Sequence, residues 1–140
     1  MLSPKKVKHR KWHKHRGDVT TMSADTRGTL LAFGSYGLKA QSAARIKSNQ
    51  IEAARKAMAH GLTKTGRTWT RIFPDRPITS KGGVVGMGKG KGDLQGYCFE
   101  VRPGRIIFEI DGVDEAVARE ALRKAGTKLP VKTKIISREL

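Results

Sequence analysis

Ile51, Ala54, Met58 and Leu62 recur at helical spacing, while Arg45, Lys47, Arg55 and Lys56 load the entrance and the polar side. This pattern predicts an amphipathic helix running from Ser48 or Asn49 to about His60. Asn49 and Glu52 have the spacing of a capping box, with Asn in place of the usual Ser or Thr. Gly61 is a natural stop. A second stripe, Val117, Ala118, Ala121, Leu122 and Ala125, predicts a helix over Asp114–Lys124 that Gly126 ends. Asp114 and Glu115 stand in its first turn, where carboxylates suit the helix dipole. Shorter runs predict strands. Residues 29–40 mix apolar and aromatic residues with Gly34 and Gly37, which suggests a strand with a bulge or a close backbone contact. Thr68–Phe73 reads as a strand ended by Pro74, and Asp75–Lys81 as a turn-rich connection. Gln95–Arg102 and Arg105–Asp111 read as two strands of a hairpin joined at Pro103-Gly104. Val131–Ser137 is a last strand after Pro130. Trp69 and Phe73 alternate along their strand and are expected in the core. Cys98, between Tyr97 and Phe99, is expected as a small buried hydrophobe. Strands outnumber helices and no repeat is present. The expected class is α+β, with helices on one side of a mainly antiparallel sheet.

Two stretches break the pattern. Residues 86–92, Gly-Met-Gly-Lys-Gly-Lys-Gly, have neither strand nor helix periodicity. Glycine lets backbone approach another surface closely. Successive exposed amides attract anions, and Lys89 and Lys91 add full charge. Residues 81–93 therefore read as a finger that touches phosphate, with a flexible surface loop as the plainer alternative. Residues 1–20 form the second stretch. Its first 16 residues carry Lys5, Lys6, Lys8, Arg10, Lys11, Lys14 and Arg16 without a single acid, with His9, His13, His15 and Trp12 among them. Such charge density opposes a free-standing fold. It reads as an arm that orders on its partner, or as a merely solvated basic tail. Trp12 has no core around it and is a candidate for stacking on an unpaired base.

Composition narrows the partner. The 140 residues suit one domain, and a 37% hydrophobic content supports one modest core. Lys and Arg number 29 against 12 acids, a formal net charge of +17. That excess repels itself unless a polyanion neutralises it. Nucleic acid is the first candidate and an anionic membrane the second. No stretch reaches the ~18 apolar residues a membrane span needs, and the basic N-terminus lacks the apolar region of a secretory signal. A lone Cys98 excludes an intramolecular disulfide and fits a reducing compartment.

Catalytic and cofactor chemistry finds little footing. Gly83 to Lys89 spaces like a phosphate-binding loop, yet Gly90 stands where Ser or Thr would hold magnesium, and a strand rather than a helix follows. No G-x-G-x-x-G pattern is present. His9, His13 and His15 have only His60 and Cys98, far off in sequence, as further ligands, so no metal site is expected. No nucleophile–base pair stands out, and no cofactor is expected. The rivals to an RNA-binding role on a particle are a phosphate-binding enzyme and a general RNA-binding protein off any particle.

Across nearly its whole length the chain resembles the bacterial-type large-subunit ribosomal protein L sixteen family. The resemblance rests on Met1-Leu2-x-Pro4-Lys5, Phe33-Gly34-x-x-Gly37-Leu38, Gln50-Ile51-Glu52-Ala53-Ala54-Arg55 and Arg71 to Thr79. It continues through Met87-Gly88-Lys89-Gly90-Lys91-Gly92, Pro103-Gly104-Arg105 and Lys128 to Thr133. It implies a hammerhead-type α+β fold and a non-enzymatic structural constituent of the large ribosomal subunit. Such a protein sits in a ribosome of the cytoplasm or of an organelle. Its partners would be large-subunit rRNA, the A-site and P-site tRNAs and neighbouring proteins, with a part in late subunit assembly. The arm residues Lys5, Lys6, Lys8, Arg10, Lys11, Trp12, Lys14 and Arg16 would contact rRNA. Met87 to Gly92 would form the finger near tRNA. Charge adds Arg55 and Lys56 as further rRNA contacts. Many members carry Arg just before the Met-Gly-Lys motif, hydroxylated in some bacteria; here Gly86 removes that cation and that modification. Leu94-Gln95-Gly96-Tyr97-Cys98 replaces the usual acidic-aromatic strand after the finger, which is still expected to be a strand.

Overall fold

The computed structural model describes residues 2–6, 22–62, 64–80 and 93–138. Its elements run β1 (Tyr36–Ala40), β2 (Ala44–Lys47), α1 (Ser48–His60), β3 (Arg67–Thr70) and β4 (Arg76–Ser80). They continue with β5 (Asp93–Val101), β6 (Ile106–Asp111), α2 (Glu115–Gly126) and β7 (Thr133–Ser137). The expected α+β class and antiparallel pairing hold. The strands divide, however, between a four-stranded sheet ordered β3-β6-β1-β7 and a three-stranded sheet ordered β2-β5-β4. The helix α2 packs on β1, β6 and β7, α1 packs on β2 and β5, and the helices pack on each other. One core therefore serves both sheets, with Leu38, Ile46, Ile51, Met58, Phe108, Ile110 and Leu122 at its centre.

The strand β6 explains the larger sheet. Ile106 to Ile110 are buried without interruption, because β6 has neighbours on both edges and cover on both faces. Leu38 pairs with Phe108 and Lys39 with Ile106, which leaves Ile107 as an extra residue. The bulge expected near Gly34 and Gly37 thus lies on the partner strand. Only Tyr36–Ala40 of residues 29–40 is strand; the residues before it cross the outer face of the sheet.

Four expectations need correction. Asp75–Lys81 is not simply a connection, since β4 occupies Arg76–Ser80. Pro77 fits there because β4 is an edge, where a residue lacking an N–H does not interrupt the ladder. The Pro103-Gly104 turn is real, with Arg105 N–H donating to the Arg102 carbonyl at 3.2 Å, yet β5 and β6 do not pair. Gly104 N–H bonds Ala40 O at 2.8 Å and Ala40 N–H bonds Arg105 O at 2.9 Å, so the turn hands the chain from one sheet to the other. The N-cap of α1 is Lys47, whose N–H donates to Gln50 Oε1 at 2.8 Å; Asn49 lies inside the helix. Finally, the strand expected over Thr68–Phe73 is β3, Arg67–Thr70, so Phe73 lies beyond it and outside the core at 43% exposure; Trp69 is half-buried, while Ile72 is buried. The short β2 escaped the sequence pattern. Cys98 is fully buried as expected, and burial pushes its thiol pKa up despite nearby Arg45 and Arg76.

Candidate nucleic-acid interface

The finger has a built base. The strands β4 and β5 form an antiparallel pair whose last described partners are Ser80 and Asp93, and residues 81–92 join them. Met87, Gly88, Lys89, Gly90, Lys91 and Gly92, with Gly86 before them, lie outside the described residues. Within this stalk Ile78 pairs with Gly96 and Thr79 with Leu94, so Gln95 is an extra residue. Gly96 takes φ +153°, and a side chain there would meet open space, so backbone conformation rather than crowding selects glycine. The replacement sequence Leu94-Gln95-Gly96-Tyr97-Cys98 is therefore strand, with a bulge at its start. Behind the stalk, Glu100 Oε1 lies 2.8 Å from Arg76 Nε and 3.3 Å from Arg45 Nε, which ties β5 to both neighbours.

The arm is rooted at both ends. Leu2 packs against the core, and its carbonyl accepts a hydrogen bond from the Ser48 hydroxyl at the start of α1. Lys5 and Lys6 follow, both exposed. Lys8, Arg10, Lys11, Trp12, Lys14 and Arg16 lie outside the described residues. On the other side, Asp25 N–H bonds Pro103 O at 2.8 Å and Ile106 N–H bonds Gly28 O at 2.7 Å. Arg105 reinforces this attachment, reaching Arg27 O at 3.3 Å and the Asp25 carboxylate at 3.6 Å. Residues 7–21 thus connect two segments fastened to the domain.

One buried electrostatic node is not visible to sequence reasoning. Glu109, on β6, is fully buried. Its Oε1 accepts the N–H groups of Ala32, Phe33 and Gly34, each at 2.9 Å, and its Oε2 pairs with the Arg71 guanidinium. Burial opposes the charge on Glu109. The Gly34 N–H, the Arg71 guanidinium and the Phe33 and Ala32 N–H groups together outweigh it, holding the carboxyl below its usual range. One carboxylate therefore fixes the backbone of residues 32–34. Its only sequence signal was a single acid inside the apolar run Ile-Ile-Phe-Glu-Ile. The strap lies so close that a Cβ on Gly34 would stand 2.6 Å from the Ile110 carbonyl oxygen. Gly34→Ala is expected to cost about 1–3 kcal/mol through overpacking, read from the midpoint of denaturant unfolding.

Arg55 and Lys56 are both exposed on α1, away from buried Ile51, Ala54 and Met58. Arg55 is engaged by Glu52 one turn earlier, which shares its charge. Among the described residues, no group of three or more His, Cys, Asp or Glu side chains is placed to hold a metal ion, and no helix is long and apolar enough to cross a membrane.

Comparison with known proteins identifies the family. A family profile described as Ribosomal protein L16p/L10e matches residues 4–136. The large ribosomal subunit protein uL16 of Caulobacter vibrioides (strain NA1000 / CB15N) is 53% identical over 138 residues, covering 99% of this chain and 94% of the relative. That of Cereibacter sphaeroides (strain ATCC 17029 / ATH 2.4.9) is 51% identical over 139 residues, covering 99% and 98%. The chain belongs to the ribosomal protein L16p/L10e family, a family of structural, non-enzymatic constituents of the large ribosomal subunit.

Proposed function

We propose that this chain binds large-subunit rRNA through its arm and the exposed side of α1, and that its finger lines the path of A-site and P-site tRNA. The observation that carries the reading is the family match over residues 4–136 in a chain of net charge +17. The folded domain sets position, and the basic segments neutralise RNA. Lys5, Lys6, Lys8, Arg10, Lys11, Lys14 and Arg16 supply phosphate contacts, and Trp12 stacks on a base. Lys56, with Arg55 sharing its charge with Glu52, adds contacts from α1. Phosphate contacts supply most of the affinity, while RNA shape supplies specificity. Both named relatives are bacterial, which supports a bacterial cytoplasmic ribosome as the site of action. Joining the subunit late in its assembly and contacting its neighbouring proteins belong to the same reading.

At the finger, glycine backbone comes close to tRNA where a side chain would clash, and Lys89 and Lys91 face its phosphates. The double substitution Lys89→Ala/Lys91→Ala is expected to weaken A-site tRNA binding to ribosomes carrying it, with the folded domain unaffected. The log–log salt dependence should flatten by about 1.4–1.8 if both lysines reach phosphates. Filter binding of aminoacyl-tRNA across a salt series measures both effects. Unchanged tRNA affinity would remove the finger from this role.

A further inference from the structure

We propose that Phe33, stacked on Trp69 and flanked by Arg71, forms a platform on which an unpaired nucleobase of large-subunit rRNA stacks. The inference rests on the rRNA-binding reading above but uses neither the arm nor the finger.

The platform lies on the face of the four-stranded sheet away from α2. Leu38 and Phe108 pair across β1 and β6 and belong to the core beneath α2. Glu109 is the next residue along β6, so it faces the other way. Trp69 is its cross-strand partner on β3 and shares that face. Here the strap of residues 30–34 crosses the sheet and leaves Leu30 80% exposed and Phe33 56% exposed. The Phe33 and Trp69 rings stack with centroids 5.8 Å apart and planes 20° from parallel. The Arg71 guanidinium carbon lies 5.3 Å from the Phe33 centroid.

Two features separate this patch from an incidental exposed residue. First, it is held rigid. A buried carboxylate takes three consecutive N–H groups of the strap, and the same carboxylate fixes Arg71. A partner binding there finds its aromatic surface already ordered, which lowers the entropic cost of association. Second, its surroundings select the partner. Exposed Arg67 extends the Trp69 strand, and exposed Arg138 is brought alongside by its N–H bond to Ser35 O at 2.8 Å. Of the acids on this side, Glu109 is buried, and Asp111 accepts the Ser35 hydroxyl at 2.8 Å while sharing the charges of Arg67 and Arg138, which outnumber it. Aromatic faces and arginine planes within a cationic rim match the chemistry by which splayed-out RNA bases are recognised.

The test uses the full-length chain and in vitro transcribed large-subunit rRNA. Phe33→Ala is expected to weaken binding by roughly 10- to 100-fold. The salt dependence should stay unchanged, because no phosphate contact is removed. Phe33→Trp should restore affinity. Phe33→Ala keeps the backbone N–H to Glu109 and loses only the partly exposed ring contacts with Trp69 and Arg71, so it should stay folded with a small drop in melting temperature. Wild-type affinity in Phe33→Ala would overturn the platform and leave the arm and finger standing. Wild-type rRNA affinity with lost incorporation into large subunits would also overturn it, since the patch would then face a protein. Failure of the wild-type chain itself to bind the transcript would overturn the rRNA-binding reading and the platform with it.

Discussion

Replacing Glu109 with alanine is expected to lower folding stability by about 3–5 kcal/mol. The substitution removes the shared acceptor of three backbone N–H groups and leaves Arg71 beside a vacated, low-dielectric site. Glu109→Gln is the sharper variant. With its one carbonyl oxygen kept on the strap, it turns an NH2 group, a donor, toward the guanidinium. It should recover part of the loss, and Glu109/Arg71 double-mutant cycles should show strong coupling because the pair is in direct contact. The same node sets a pH dependence. The folded carboxyl lies below the unfolded value of about 4.3. Its contribution is therefore complete above about pH 5, and it is lost as pH falls through the lowered folded value. Denaturant unfolding between neutral pH and pH 3 should show wild type losing more stability than Glu109→Gln. Equal acid sensitivity in the two proteins would mean that Glu109 carries no charge that the fold uses.

A second large effect is expected in RNA binding. Converting Lys5, Lys6, Lys8, Arg10, Lys11, Lys14 and Arg16 together to glutamine should flatten the log–log salt dependence of rRNA binding by about five to six. That figure assumes each side chain neutralises one phosphate. At moderate salt, a change of this size corresponds to loss of most specific affinity, on the order of a thousandfold. The fold should remain, because Lys5 and Lys6 are exposed and the anchor of the segment is Leu2, which the variant retains. Affinity measured at several salt concentrations separates this electrostatic loss from the salt-independent loss expected at Phe33.

Much of the scaffold was legible in the chain because it depends on local period. Ile51, Ala54 and Met58, and Ala118, Ala121, Leu122 and Ala125, are buried along the helix faces that their spacing predicted. What escaped depends on distant partners. The edge strand β4 exists because β5 lies beside it, a partner that the turn-rich sequence of Asp75–Lys81 does not report. The apparent β5–β6 hairpin failed because the Pro103-Gly104 turn is held by Ala40 and Asp25, which redirect the chain into another sheet. The Glu109 node joins residues 75–77 positions apart in sequence, so no local pattern could report it. The basic segments were the reverse case. Their composition was plain in sequence, whereas the structure adds how their ends are fastened.

The most direct test of the account is sedimentation of tagged full-length chain from lysate at moderate salt, followed by identification of the RNA crosslinked to it. The account predicts co-migration with the large subunit, with crosslinks from residues 5–16 to large-subunit rRNA and from residues 87–92 to tRNA. Protein left at the top of the gradient with scattered RNA crosslinks would contradict it and make this chain a general RNA binder off the ribosome.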